Sequence, residues 1–185
     1  MQWGRRQGGM DTSSFIEFIV ANRALAPWLA GALAAAETIA FLSMFIPATA
    51  LLMAVGAVVA TDALPFAPIW IGASVGAVLG STASYAFGRC FGAQLERMWP
   101  LSRYPHRLAQ TQAAFVRWGL FAIFLGHFIG PLRPVVFLFA GMSGTRFAPF
   151  TAVNVIGAAT WAFVIPKTGE LGGDLIAWFW TYMQF

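Results

Sequence analysis

Residues 126–133 read Gly126-His127-Phe128-Ile129-Gly130-Pro131-Leu132-Arg133, a proline-centred break with a histidine ahead of it and an arginine behind it. Apolar arms flank the break at 118–130 and 135–145. Neither arm is long enough to cross the roughly 30 Å of a hydrocarbon core, which takes about 20 helical residues. Backbone groups released at such a break find no hydrogen-bond partner in lipid, so the break has to lie within protein or line a wet cavity. The stretch therefore predicts two half-helices meeting inside a membrane protein. The first half of the chain carries a counterpart, in which 24–46 and 48–60 are separated at Pro47. Phe45-Ile46-Pro47-Ala48-Thr49 runs on to Gly56 much as Phe128 to Arg133 runs on to Gly141. Tyr85-Ala86-Phe87 after Gly80 likewise parallels Trp161-Ala162-Phe163 after Gly157. The pattern predicts a weak internal repeat with two re-entrant hairpins, broken at Pro47 and Pro131, that place Thr49 and Arg133 in equivalent positions.

Composition points the same way. Of 185 residues, 59% are hydrophobic and 10% charged, which excludes an ordinary soluble domain. Uncharged runs at 63–88 and 147–166 are long enough for full spans, whereas 24–36, 118–132 and 175–185 are too short to cross alone. A last helix is expected to begin near Leu171 and stop partway, with Trp178, Trp180 and Tyr182 at an interface. Residues 12–24 and 93–117 mix apolar and charged positions in the manner of helices lying in the headgroup region. The expected architecture is an all-α, polytopic integral membrane protein. A tail and interfacial helix (1–24) precede one membrane domain (25–185), with halves at about 25–88 and 118–185 around a basic segment, 89–117. Gly72, Gly76, Gly80, Ser84, Gly88 and Gly92 recur every four residues, a stripe of small side chains that admits another backbone at close range.

The charge is concentrated. Arg89, Arg97, Arg103, Arg107 and Arg117 face only Glu96 in residues 89–117, which therefore hold the whole formal excess of +4. Such a segment between apolar runs is the mark of a cytoplasmic loop near anionic phospholipid headgroups, so nucleic acid is not the expected partner. The N-terminus is expected on the same side, and residues 61–68, without Lys or Arg, outside. No secretory leader is evident, because Pro27 and Trp28 interrupt the first apolar run early. With Cys90 alone, no intrachain disulfide forms. No phosphate-binding Gly-Lys-Ser/Thr loop, metal-ligand spacing or Ser/His/Asp grouping is present, so neither enzyme activity nor a metal or cofactor is expected.

Glu37 and Arg133 are the ionisable residues isolated within apolar sequence. Each costs about 2.5–3.5 kcal/mol or more at the bilayer centre, so each is expected to face a cavity or a partner, and they form the natural pair. One reading is a buried salt bridge that fixes the two halves together. The other makes Arg133 an anion binder, since a guanidinium fork matches phosphate oxygens, with Glu37 the group that takes up and releases a proton. His127 is either a hydrogen-bonded core residue or a proton relay. Thr49 and Asn154 are polar but uncharged, and helix packing accounts for either.

Four segments together resemble the DedA family, also called the SNARE-associated or VTT-domain superfamily. They are Glu37 with Pro47 and Gly56; Gly76 and Gly80 leading to Tyr85-Ala86-Phe87-Gly88-Arg89 and Gly92; Gly126-His127-Phe128 through Arg133 to Ala140-Gly141; and Gly157 to Trp161. The resemblance covers roughly residues 31–172. It implies a bacterial inner-membrane protein with two re-entrant hairpins that moves polyprenyl phosphate carrier lipid, chiefly undecaprenyl phosphate, between leaflets, with proton coupling. By position, Glu37 matches the family's first-hairpin acid and Arg133 the second arginine of its paired-arginine motif. Thr49 stands where the family often has an acid, His127 where it has the first arginine, and Ser81 where an Asp is common. Arg133, His127 and Thr49 are thus expected to bind substrate, and Glu37 and His127 to handle protons. The alternatives are a non-transporting assembly or lipid-organising factor and a small-ion or proton exchanger. A homo-oligomer is compatible with either.

Overall fold

A computed structural model describes residues 23–39, 42, 48–59, 61–62, 64–97, 105–130 and 133–183. The expected interfacial helix at 12–24 falls almost wholly outside these residues, as do Pro47 and Pro131. Six helices and no strands occur among the described residues: α1 (Ala26–Thr38), α2 (Ala48–Val59), α3 (Phe66–Arg97), α4 (Pro105–Gly126), α5 (Arg133–Met142) and α6 (Phe147–Met183). Within them, Phe66–Leu95 and Phe147–Gly169 are long and apolar enough to cross a membrane.

The small-residue stripe of α3 organises the bundle. A Cβ at Gly72 would overlap the Pro27 carbonyl, one at Gly76 the Gly31 carbonyl, and one at Gly80 the Thr38 hydroxyl and Ala35 carbonyl. Those contacts belong to α1. Further along the same stripe, a Cβ at Gly88 would overlap the Leu138 carbonyl, and one at Gly92 would lie 3.3 Å from the Met142 side chain. Those belong to α5. The stripe thus seats two short helices in succession, and Ser84, at the changeover, donates its hydroxyl to the Thr38 carbonyl at 2.7 Å. This arrangement brings the C-terminal turn of α1, with Glu37, to the first residue of α5, Arg133.

Local sequence sets where these helices start and stop. Pro27 sits in the first turn of α1, where its missing N–H costs no hydrogen bond, and Ile39 leaves the helix in extended backbone. α4 is interrupted at Gly119 (φ 50, ψ −127), a conformation that favours glycine and that falls where the basic segment gives way to apolar sequence. α6 departs from expectation. It runs without a break through Pro166 to Met183, so there is no separate last helix beginning near Leu171. Lys167, Glu170 and Asp174 interrupt an apolar run but do not oppose helix formation, and Pro166 withholds one N–H whose loss the packed neighbours tolerate. The Pro166 carbonyl is seated against Gly56 of α2.

Two apolar clusters form the core. One gathers Ala34, Leu52, Ile69, Ala77, Ala158 and Trp161; the other gathers Tyr85, Phe115, Ile123, Phe137 and Phe150. On α3, Ser81 and Ser84 fall between Ala77 and Tyr85; on α6, Asn154 falls between Phe150 and Ala158. A polar layer therefore separates two apolar ones. The outer surface is apolar as well, with Trp28, Ile71, Leu79, Ile156 and Leu171 all more than half exposed. So much contiguous exposed hydrocarbon marks a surface that meets lipid or another protein.

Candidate functional site

The polar layer is built on charge. Arg133, the first residue of α5, is fully buried, and its Nη1 lies 3.4 Å from Oε2 of Glu37, which is 6% exposed. The pair predicted from two distant charges in apolar sequence does meet. Thr49, near the start of α2, donates its hydroxyl to Oε1 of Glu37. One carboxylate thus ties α1 to α2 through one oxygen and to α5 through the other. The guanidinium carbon of Arg133 stands 3.7 Å from the centroid of the Trp161 ring on α6. A desolvated cation over indole contributes about 2 kcal/mol and leaves the in-plane N–H groups free to donate.

Those donors are mostly unspent. Among the described residues, Arg133 Nε, Nη1 and Nη2 make no hydrogen bond, and neither does Glu37 Oε2. Buried donors left unmatched cost roughly 1–3 kcal/mol each, and more when charged. The ion pair compensates charge without exhausting the fork, so the site retains the capacity to bind oxygen atoms.

His127 is fully buried just beyond the end of α4. Its Nδ1 lies 3.1 Å from the Ile123 carbonyl, its ring packs on Phe137 with centroids 4.8 Å apart, and it presses so closely on Gly157 that any side chain there would collide with it. Ser81 and Asn154, both fully buried, are joined at 2.8 Å across α3 and α6. The polar side chains thus comprise the joined pair Ser81–Asn154, His127, and the linked trio Arg133, Glu37 and Thr49.

Of the residues singled out in the sequence, Glu37, Arg133, His127 and Thr49 lie in this layer. Trp161, Ser81 and Asn154 also belong to it. Asn154 was noted in the sequence as a polar residue that helix packing accounts for, and Trp161 could have been suspected from its place one turn after Gly157. Ser81 lies next to the small-residue stripe and not on it, and its one signal was that it stands where the resembling family commonly has an Asp. No group of three His, Cys, Asp or Glu capable of holding a metal occurs among the described residues.

Comparison with known proteins adds a family. The VTT domain model matches residues 46–171, more than half the chain, from α2 into α6. The inner membrane protein YabI of Escherichia coli K12 is 31% identical over 140 residues, covering 76% of this chain and 55% of that protein. The inner membrane protein YqjA of the same organism is 30% identical over 131 residues, covering 70% and 59%. An uncharacterized membrane protein of Mycobacterium tuberculosis H37Rv is 39% identical over 101 residues, covering 51% and 46%. The chain therefore spans about half the length of the curated relatives it matches. No solved structure matches it.

Proposed function

The chain belongs to the DedA family of membrane proteins, whose shared module is the VTT domain, and from that footing we propose that it carries an anionic lipid phosphate, of the polyprenyl phosphate class, between the leaflets of a bacterial inner membrane. The observation that supports this reading most is the buried Glu37–Arg133 pair with its unspent guanidinium donors. A bound phosphate oxygen would take the donors that Glu37 leaves over, with Thr49 and His127 beside them. Glu37, released from Arg133, would accept a proton, and its return would expel the phosphate. Proton uptake and anion binding would then be two halves of one exchange.

The fold around the pair suits an amphiphile. α1 and α3 leave a groove of about 680 Å³ along the bundle surface, lined by Gly31, Gly72, Gly76, Trp28 and Leu79 among others, where a hydrocarbon chain would meet almost entirely apolar surface. We read α1 with α2, and α4 with α5, as two re-entrant hairpins whose tips meet at bilayer depth. The C-terminal end of α5 lies beside Gly92 and Arg89 of α3, which the basic segment would hold at the cytoplasmic face.

The test is translocation of labelled undecaprenyl phosphate in proteoliposomes of the purified protein. Transport that rises with an imposed pH gradient is the expected result. Lipid that stays in its leaflet under gradients of both signs would leave the non-transporting assembly role. Ion flux with no lipid present would instead favour an exchanger. Orientation is checked separately. With Cys90→Ser as background, a thiol introduced as Pro65→Cys is expected to react with an impermeant maleimide from the periplasmic side alone, since residues 61–68 carry no positive charge. Reaction from the cytoplasmic side alone would invert the topology.

A further inference from the structure

Arg133 stands where a cation is poorly accommodated. It is the first residue of α5, so the positive pole of that helix repels it, and it is fully buried. Two groups offset this. The carboxylate of Glu37 lies 3.4 Å away, close enough for charge to attract charge, though no hydrogen bond joins Oε2 to the guanidinium. The Trp161 ring lies against the other side chain directly, with the guanidinium carbon 3.7 Å from the ring centroid, which is van der Waals contact.

The two groups are anchored differently. Glu37 is the last residue but one of α1, and Ile39 beyond it is already in extended backbone, so its main chain belongs to a helix end, where local opening costs least. Trp161 lies within the continuous α6, 1% exposed, in the core cluster that includes Leu52, Ala77 and Ala158. They also ask different things of the arginine. A carboxylate takes the N–H edge of the guanidinium, the edge that phosphate oxygens would take, so Glu37 and an anion compete. An indole takes the face, so Trp161 and an anion can be held at once.

We propose that Trp161 is the positioning residue of the anion site: it holds the guanidinium of Arg133 in the polar layer while the charge partner changes from Glu37 to an anion. Without the indole, an arginine released by Glu37 would be pushed off by the positive end of α5, and its long side chain would carry the charge toward water or headgroups. With the indole in place, the fork stays where Glu37 left it. One face is covered, so an anion is met in the guanidinium plane, where two N–H groups reach two oxygens together. The proposal rests on the reading of Arg133 as an anion binder given above, but its first test reads the strength of the ring contact and not binding or transport.

The test replaces Trp161 alone, by nonsense suppression, with a series from monofluoro- to tetrafluorotryptophan, which weakens the negative face of the indole by steps and nearly keeps its shape. The thermal midpoint of the full chain in detergent is expected to fall along the series, by about 2–4 °C at its end, and by more in Glu37→Gln, where the carboxylate no longer shares the load. In Glu37→Gln with Arg133→Met, which has no cation to hold, the series is expected to be flat. Equal slopes with and without the arginine would overturn the proposal, and so would a slope no steeper in Glu37→Gln than in the parent. Where Glu37→Gln alone does not fold, the parent against the double variant decides. Calorimetric titration with dodecyl phosphate is expected to show affinity falling about tenfold over the same series. Constant affinity would also overturn the proposal, because a ring that only fills space does not sense fluorine. Dodecyl phosphate that fails to bind at all, with the thermal series as expected, would overturn the anion-binding reading alone.

Discussion

Arg133→Ala is expected to lower polyprenyl phosphate translocation by about 10²–10⁴-fold, because the phosphate would lose two charge-assisted hydrogen bonds worth roughly 1.5–3 kcal/mol each. Loss of transport by itself does not separate a binder from a lock, since either role needs a folded bundle. Stability separates them. Glu37→Gln strands a buried guanidinium, and Arg133→Ala strands a carboxylate; breaking a buried pair from one side costs about 3–5 kcal/mol. Removing both charges at once, as Glu37→Gln with Arg133→Met, is expected to recover most of that loss, because two apolar or neutral groups of similar volume pack without an unpaired charge. If the pair is only a lock, the double variant regains transport along with stability. If Arg133 binds the phosphate, thermal unfolding returns to near the parent value while translocation stays absent. Recovery of both in the double variant would refute the assignment of Arg133 as the phosphate binder and leave the pair a lock.

The second large effect concerns the stripe on α3. Gly76→Val is expected to destabilise the bundle by about 3 kcal/mol or more, at or beyond the upper end of overpacking penalties, because the new side chain would meet the backbone carbonyl of Gly31 and not a flexible side chain that could move aside. Parting α1 from α3 would also move Glu37 off Arg133, so transport should fall together with stability. Gly172 supplies the control. A Cβ there meets nothing within 4 Å, and Gly172→Ala within α6 is expected to be neutral or to stabilise by up to about 1 kcal/mol. The measurement is thermal unfolding of each variant in detergent. Equal effects at the two positions would mean that the stripe does not seat α1.

Much of this arrangement was legible in the residue string. A charged residue in apolar sequence must find a partner, so Glu37 and Arg133 announced each other without coordinates. A four-residue recurrence of small side chains announced a close neighbour for α3. What it could not say was that there are two neighbours, α1 along Gly72 to Gly80 and α5 along Gly88 to Gly92, because a stripe records how near a backbone comes and not whose it is. The continuity of α6 was missed because hydropathy registers Lys167, Glu170 and Asp174 as an end to the apolar run, whereas helix hydrogen bonds are indifferent to those side chains.

The sequence by itself determined the class of molecule, the pairing of its two isolated charges and the family to which it belongs, since these follow from composition, the cost of unpaired charge and motif spacing. Tertiary structure alone decided what surrounds the pair. Trp161 lies under Arg133, Thr49 holds the far oxygen of Glu37, and Ser81 is joined to Asn154 across α3 and α6. The reason is that an uncharged polar side chain or an indole carries no obligation strong enough to name its partner in advance. Such a residue fits many neighbours within hydrogen-bond or stacking reach, and only the packing of α3, α5 and α6 selects among them.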